Sequence, residues 1–223
     1  MTLFKQHLNQ ITYVLTTLAV VFPVISIAIS QIFLSLAIFA FILDRSLTKQ
    51  KSIFFPPIKL PLLFFVLTTA LSWLLSPDLA FGLPPIKKLW LFVIILLVVN
   101  YFSEKRTVLA YQALFTVGIV ACVFAFVQYI FPSLGSVQGR ITGFMGHWMT
   151  LSGGLMLVFT TLVGYTLNVS SKRRSFWLLA CFFLGTTLIL TLTRSVWIAS
   201  SVGLLTAFWL RFSLQKVLIL LGG

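Results

Sequence analysis

The apolar run from 176 to 210 contains a single charged residue, Arg194, in the string LTLTRSVWIASS. An arginine toward the centre of a membrane helix costs on the order of 2.5–3.5 kcal/mol to insert, so such a residue marks a functional site by default. A guanidinium group binds phosphates through two parallel hydrogen bonds, which makes an anion the first candidate ligand. An arginine at a helix end that extends to the lipid head groups is the alternative.

A second candidate, Arg140, lies in a glycine-rich connection with the sequence PSLGSVQGRITGFMG. Glycine lets the backbone turn with positive φ and approach a ligand closely. His147 and Trp148 follow where the next helix is expected to begin, and helix N-termini present free N–H groups to anions. The connection predicts a phosphate cradle, with a glycine-rich turn and one solvated arginine as the alternative. Its glycines are Gly135, Gly139, Gly143 and Gly146.

Three further residues complete the candidate site. His147 is the candidate catalytic base, because a neutral imidazole can accept a proton from an acceptor hydroxyl; a histidine hydrogen-bonded to backbone at a helix start is the alternative. Lys87 and Lys88 precede an apolar run, and they either bind the same anion or anchor the helix at the interface. Such a set of cations suits a lipid diphosphate, since fixed cations stabilise the charge that develops on a leaving group.

The scarcity of acidic residues excludes several kinds of chemistry. The chain has only Asp44, Asp78 and Glu104. A metal-dependent transferase needs clustered carboxylates, and a glycosidase needs two across a cleft. No nucleotide-binding loop is present, and Cys122 and Cys181 lack metal-ligand spacing. The sequence therefore predicts neither a metal nor a cofactor.

The composition predicts a multipass membrane protein. The chain is 60% hydrophobic and 9% charged, with a mean hydropathy of +1.10. A soluble domain needs more polar surface than this. The net charge of +13 lies mostly in short clusters between apolar runs, where it sets the topology, so nucleic acid is rejected as a partner.

The candidate residues lie at the ends of predicted apolar helices or between them. The predicted fold class is an all-α, polytopic transmembrane bundle, one domain over 1–223, with about eight spans and part of a ninth from Val217. Two runs, 11–43 and 176–210, exceed the roughly 20 residues of one span. The first contains Pro23 and Gln31 and is expected to form two short helices or a re-entrant pair, and the second is expected to break between two short helices at Arg194. The remaining runs are 60–76, 89–102, 108–131 and 147–169.

The basic residues predict a cytoplasmic N-terminus. If the chain starts in the cytoplasm, alternate connections hold twelve of the 16 basic residues, which is the bias of the cytoplasmic side. Lys87, Lys88, Arg140 and Arg194 then lie on the opposite side, where an anionic ligand would explain them. The twelve are Lys5, Arg45, Lys49, Lys51, Lys59, Lys105, Arg106, Lys172, Arg173, Arg174, Arg211 and Lys216.

Four segments resemble the O-antigen ligase family of bacterial envelope glycan ligases and polymerases. They are FPVISIAISQIFLSLAIFAFILDR, LSWLLSPDLAFGLPPIKKLW, YIFPSLGSVQGRITGFMGHWMTLSGG and LTLTRSVWIASSVGLL, and the last two are the more specific. The resemblance implies transfer of a glycan from undecaprenyl diphosphate to lipid A core or a growing polymer at the periplasmic face of the inner membrane. It assigns Arg194, Arg140 and the Lys87–Lys88 pair to the donor diphosphate. Ser195 replaces a family glycine, and GHW replaces a frequent N-P-N.

The resemblance also implies a longer protein. Members of the family have about a dozen spans and a long external loop that carries the catalytic histidine, and this chain resembles their N-terminal two-thirds. A transporter or flippase of lipid-linked glycan would use the same cations without chemistry, and it stays open as an alternative. A non-catalytic membrane scaffold is the third possibility. The glycan, the acceptor and the oligomeric state are not predicted.

Overall fold

The computed structural model describes residues 2–48, 53–76, 79, 83–134, 139–168 and 174–221. This part of the chain is helical and contains no β-strand, which confirms the predicted all-α class. Short 3-10 helices lie at Phe22–Val24, Leu89–Phe92, Pro132–Leu134 and Gly143–Met145. The α-helices are α1 (Thr2–Val21), α2 (Ile27–Thr48), α3 (Lys59–Leu74), α4 (Leu83–Lys87), α5 (Val93–Tyr101), α6 (Glu104–Ile130), α7 (Trp148–Asn168), α8 (Arg174–Leu190) and α9 (Arg194–Leu221).

Most of these helices are apolar, and several are long enough to cross a bilayer. Helix α7, for example, has 21 residues, and at a rise of about 1.5 Å per residue it matches a hydrocarbon core of about 30 Å. The structure therefore supports a protein embedded in a membrane. The five long apolar segments are Gln6–Val24, Ile27–Leu47, Glu104–Ile130, Trp148–Asn168 and Arg194–Ser213; the shorter ones are Lys59–Leu74, Leu89–Tyr101 and Arg174–Leu190.

Both long apolar runs break where the sequence predicts. Pro23 lies in a 3-10 turn after α1, and the N–H groups of Ile25 and Ser26 both donate to the carbonyl of Phe22. The second break separates α8 from α9, and Arg194 is the first residue of α9. Of the four helices at these breaks, α8 is short, with 17 residues, whereas α1, α2 and α9 have 20, 22 and 28 residues and are longer than predicted.

The separate span predicted from Val217 is also absent from the described residues, because α9 continues without interruption to Leu221. Between Arg211 and Val217 the sequence has no proline or glycine, so nothing in it ends a helix. The two basic residues expected in a connection, Arg211 and Lys216, are helical.

The chain divides into two compact units. The first comprises Met1–Val20 and Ala28–Ala110, and the second comprises Val21–Ile27 and Tyr111–Gly223. The predicted single domain over 1–223 remains a prediction. In the first unit a core that includes Leu34, Phe41 and Leu97 surrounds a buried polar pair: the Tyr101 hydroxyl donates to Oδ2 of Asp44 at 2.6 Å.

The core of the second unit lies between α6, α7 and α8. Its fully buried members include Phe115, Leu155, Leu162 and Leu184. Helix α7 packs closely on α6 at Gly118, where a Cβ atom would lie 2.6 Å from Cγ1 of Val158.

Helices α7 and α8 are antiparallel, as two contacts show. Thr166 lies beside Cys181, with 3.8 Å between Oγ1 and Sγ. Phe159, about two turns earlier in α7, lies beside Gly185, which is one turn later in α8.

Candidate functional site

Helices α7 and α9 run in the same direction, and two contacts define their register. A Cβ atom on Gly203 of α9 would lie 2.9 Å from Cγ2 of Thr160 in α7. Eight residues later in both helices, Nη1 of Arg211 donates to Oδ1 of Asn168 at 3.2 Å. Both contacts join residues 43 positions apart, which is the signature of a parallel pair.

This register brings Arg194 to the same end of the second unit as the start of α7. In this register, residues that lie level in the two helices are 43 positions apart, so Arg194 of α9 is level with Leu151 of α7. Leu151 is three residues after Trp148, the first residue of α7. Three residues correspond to about 4.5 Å along a helix axis. The sequence-based expectation that Arg194 lies on the same side as His147 is therefore consistent with the packing inside this unit.

The break before Arg194 is held by hydrogen bonds to the end of α8. The carbonyl of Leu188 accepts hydrogen bonds from Thr191 Oγ1 at 2.7 Å and from the indole Nε1 of Trp197 at 3.1 Å. The Leu188 carbonyl also accepts the N–H of Thr191 at 3.3 Å, so the two side chains strengthen the hydrogen bonding at the end of the helix, where carbonyls lack their usual partners. Thr191 and Thr193 are buried, whereas Arg194 is exposed.

The connection that carries Arg140 is fixed by a buried glutamine. Gln128, 1% exposed, accepts hydrogen bonds at Oε1 from the N–H groups of Thr142 and Gly143, at 2.7 and 2.9 Å. Its Nε2 donates to Oγ1 of Thr142 at 3.0 Å and to the carbonyl of Leu134 at 3.3 Å. The side-chain amide of Gln128 therefore connects the end of α6 to the chain on both sides of Arg140, at Leu134 before it and at Thr142 and Gly143 after it.

The glycines of this connection make the turns that the sequence predicts. Gly139, Gly143 and Gly146 have φ of 71°, 56° and 66°, a region that side chains with a Cβ rarely occupy. Gly143 is also crowded, because a Cβ there would lie 2.7 Å from Cδ1 of Leu151. Gly135 lies outside the described residues.

Arg140, His147 and Trp148 form one cluster at the start of α7. The Arg140 guanidinium lies over the Trp148 ring, with 5.2 Å from Cζ to the centroid, and the His147 ring stacks on the same indole at 4.5 Å. Nε1 of Trp148 is buried and has no hydrogen-bond partner among the described residues. The cluster joins a cation, an exposed imidazole and an aromatic face.

The orientation of His147 favours a donor role. Its Nδ1 accepts a hydrogen bond from the N–H of Met149 at 3.3 Å. A neutral imidazole has one donor and one acceptor nitrogen, so this bond assigns the proton to Nε2. In this geometry Nε2 can donate a hydrogen bond, and the predicted catalytic base at His147 stays an untested prediction.

The other candidate cations belong to the first unit. Lys87 ends α4 and Lys88 follows it, and both are exposed. Asp78, the acid nearest to them in sequence, lies outside the described residues. Their assignment to the ligand of Arg140 and Arg194 remains a prediction from the sequence.

The second unit has no acidic side chain to neutralise its arginines. All three acids of the chain precede Tyr111, and none falls in 21–27. Arg140 and Arg194 therefore have no carboxylate side chain in their own unit. Charges near hydrocarbon are costly without a counter-charge.

An apolar cavity of about 520 Å³ lies along α9 between Arg194 and Arg211. Its lining begins at Trp197, one turn from Arg194, and continues along α9 to Phe208. Across from α9 it is lined by α7 and α8, including Phe159 and Gly185. The cavity is wide enough for a ligand, since binding pockets measure roughly 300–1,000 Å³.

Gln128 was not singled out in the sequence, although a signal was available. It is a polar residue within the apolar stretch VFAFVQYIF, and polar groups at such positions need partners. The cavity and the α7–α9 register had no signal in the pattern of residues, because both arise from packing between segments distant in sequence.

No protein-family model, curated protein or solved structure matches this chain. The class of this protein is therefore inferred from its own sequence and structure. The second unit belongs to a helical, membrane-embedded protein and has two arginines at one end, an aromatic cluster beside one of them and an apolar cavity beside the other.

Proposed function

We propose that this protein binds the diphosphate of a lipid-linked glycan with Arg140 and Arg194 and transfers the glycan to an acceptor hydroxyl. The observation that carries the proposal is the parallel register of α7 and α9, which brings two arginines to one end of a unit without acidic side chains. The reaction is the one implied by the resemblance to O-antigen ligases, with undecaprenyl diphosphate as the donor lipid and lipid A core or a growing polymer as the acceptor.

The site offers polar groups for the diphosphate of such a donor and an apolar cavity for its lipid chain. Each guanidinium can form a bidentate contact with phosphate oxygens, and Nε2–H of His147 can donate to a third. The apolar cavity that begins at Trp197 suits the hydrocarbon chain below the diphosphate. The exposed ends of α7 and α9 leave room for the glycan in water.

The proposed chemistry follows from the leaving group. The acceptor oxygen bonds to the anomeric carbon while the bond from that carbon to the diphosphate oxygen breaks, and the acceptor proton passes to solvent water. The lipid diphosphate gains negative charge as it leaves. Arg140 and Arg194 would lower the barrier because they are aimed at that developing charge in a poorly hydrated site.

The proposed topology has eight crossings, made by the five long and three shorter apolar helices, with a cytoplasmic N-terminus in a bacterial inner membrane. The arginine end of the second unit then faces the periplasm. The charged residues at its other end, Arg174 and Arg211, face the cytoplasm, in agreement with the positive-inside bias.

Binding of undecaprenyl diphosphate to the purified protein tests the ligand. Arg194→Ala and Arg140→Ala should each raise Kd roughly 10- to 100-fold, because each removes charge-assisted hydrogen bonds. Arg211→Ala is the matched control, since Arg211 lies in the same helix about 25 Å away along its axis. Equal losses in Arg194→Ala and Arg211→Ala would refute the assignment.

Glycan release from a labelled lipid-linked donor in liposomes tests the reaction. Release that depends on Arg194 and on an acceptor supports transfer. Tight binding with flipping of the donor, or with no change in it, would contradict transfer and identify a flippase or a scaffold. Substitution of Lys87 and Lys88 by glutamine in the same assays tests whether these residues serve the same ligand.

A further inference from the structure

The first unit contains a groove between α3 and α5 that the proposed function does not use. The two helices are antiparallel: Asn100 at the end of α5 bonds the backbone of Phe54 just before α3, and Phe65 contacts Phe92 at 5.5 Å between ring centroids. Between these two contacts lies a cavity of about 570 Å³. It is independent of the arginine site, because all its lining residues belong to the first unit.

The groove is apolar along its length and charged at one end. Helix α3 has no buried residue, so the groove is open along the side of this helix. Lys59 is the one charged residue among the described residues that line it, and it lies near the Asn100 end of the antiparallel pair. The lining includes Lys59, Leu63, Val66, Leu89, Phe92 and Leu96.

A second cation lies at the same end. Nη2 of Arg45 donates to Oδ1 of Asn100 at 3.1 Å, and the same oxygen accepts the N–H of Phe54. The acid beside Arg45, Asp44, is 4% exposed and accepts the Tyr101 hydroxyl. The described side chains at this end carry more positive than negative charge: Arg45, Lys59, Lys105 and Arg106 against Asp44 and the exposed Glu104.

We propose that this groove binds one acyl chain of an anionic phospholipid, with the lipid phosphate beside Lys59 and the Arg45–Asn100 pair. Basic pockets between membrane helices at the cytoplasmic surface are suited to anionic head groups, and the predicted topology assigns this end to the cytoplasm.

The dimensions favour a lipid chain over a helix of another protein. On α3 the lining extends from Lys59 to Val66, two turns of helix or about 11 Å, and the Phe65–Phe92 contact lies at the far end. A membrane-spanning helix needs a surface of about 30 Å.

Native mass spectrometry of the delipidated protein tests the proposal. Phosphatidylglycerol and phosphatidylcholine with identical chains are added in turn, and the ratio of bound lipid is measured. The wild type should prefer phosphatidylglycerol, and Lys59→Gln should lower that preference about fivefold, the effect expected for one lysine near an anionic surface. Lys105→Gln, an exposed lysine outside the groove, should leave it unchanged.

Filling the groove with a larger side chain tests whether it binds an acyl chain. Leu63→Trp should abolish tight binding of both lipids, because Leu63 lines the groove, whereas Leu67→Trp, one turn away and outside the lining, should not. The two leucines are a matched pair, 53% and 55% exposed. Circular dichroism and gel filtration establish that both variants are folded.

Three results would overturn the proposal. The first is an unchanged lipid preference in Lys59→Gln. The second is equal lipid binding by Leu63→Trp and Leu67→Trp. The third is a smaller oligomer in Leu63→Trp without loss of lipid, which would identify a second copy of the chain as the occupant.

Discussion

The guanidinium of Arg140 lies over the indole of Trp148, with 5.2 Å from Cζ to the ring centroid. The contact joins a loop residue to the first residue of α7. Because the indole is also stacked on His147, it fixes one cation and one imidazole with a single side chain. Trp148 is therefore the residue that holds Arg140 of the loop and His147 against the start of α7.

Trp148→Ala should weaken binding of undecaprenyl diphosphate about two- to fivefold. The substitution removes a cation–π contact of about 0.5–1 kcal/mol and frees the Arg140 side chain. Trp148→Phe keeps an aromatic face and should retain most of the affinity. Titration of the purified variants measures both values, and an alanine variant as tight as the wild type would contradict the orienting role.

Gln128→Leu should lower the free energy of unfolding by about 2 kcal/mol or more. The leucine fills a similar volume but removes the acceptor of the Thr142 and Gly143 N–H groups and the donor to Leu134, and each lost buried bond costs about 1–3 kcal/mol. Thermal unfolding in detergent measures the change. Gln112→Leu, a half-buried glutamine in the same helix, is the control. Similar melting temperatures for the two variants would rule out the buried amide as the support of the loop.

The sequence predicts the helices and their breaks because hydropathy and proline act locally. The breaks at Pro23 and Arg194 and the turns at Gly139, Gly143 and Gly146 follow from such local rules. The continuation of α9 past Arg211 does not follow from the sequence, because a charged residue after an apolar run predicts the end of the span. In the structure Arg211 donates to Asn168 and stays within the helix.

The arrangement of the site could not be predicted from single segments. The contacts between Gly203 and Thr160 and between Arg211 and Asn168 join residues 43 positions apart. Such contacts depend on which faces of two helices meet, and apolar residues surround both helices. The pattern that locates a span in the sequence therefore does not specify its rotation or its neighbours.

Gly203→Ala should destabilise the second unit, and Thr160→Ser should remove the effect. The alanine methyl would lie 2.9 Å from Cγ2 of Thr160, closer than side chains pack, and Thr160→Ser deletes that methyl group while keeping the hydroxyl bond to Met156. Melting temperatures of the wild type, the two single variants and the double variant form a double-mutant cycle. Additive effects would mean that these residues do not touch, and the α7–α9 register would then be wrong.

Leu192→Gly should leave the protein as stable as the wild type or stabilise it by up to about 1 kcal/mol. Leu192 has φ of 53°, a conformation that is strained for leucine and unstrained for glycine, and its side chain is half exposed. Leu192→Val should be destabilising, since a β-branched residue resists this conformation more strongly. Thermal unfolding compares the three proteins. If glycine costs more than valine, the break before Arg194 does not have this backbone.

The parallel direction of α7 and α9 has a consequence for biosynthesis. Two neighbouring helices that point the same way need a return crossing between them, which α8 supplies. A chain made from its N-terminus completes the α7–α8 hairpin while α9 is still in the ribosome. Arg140 thus reaches the bilayer first and Arg194 joins it two crossings later, after α7 and α8. Under the proposed function, a nascent chain cannot hold the full ligand before α9 has been released.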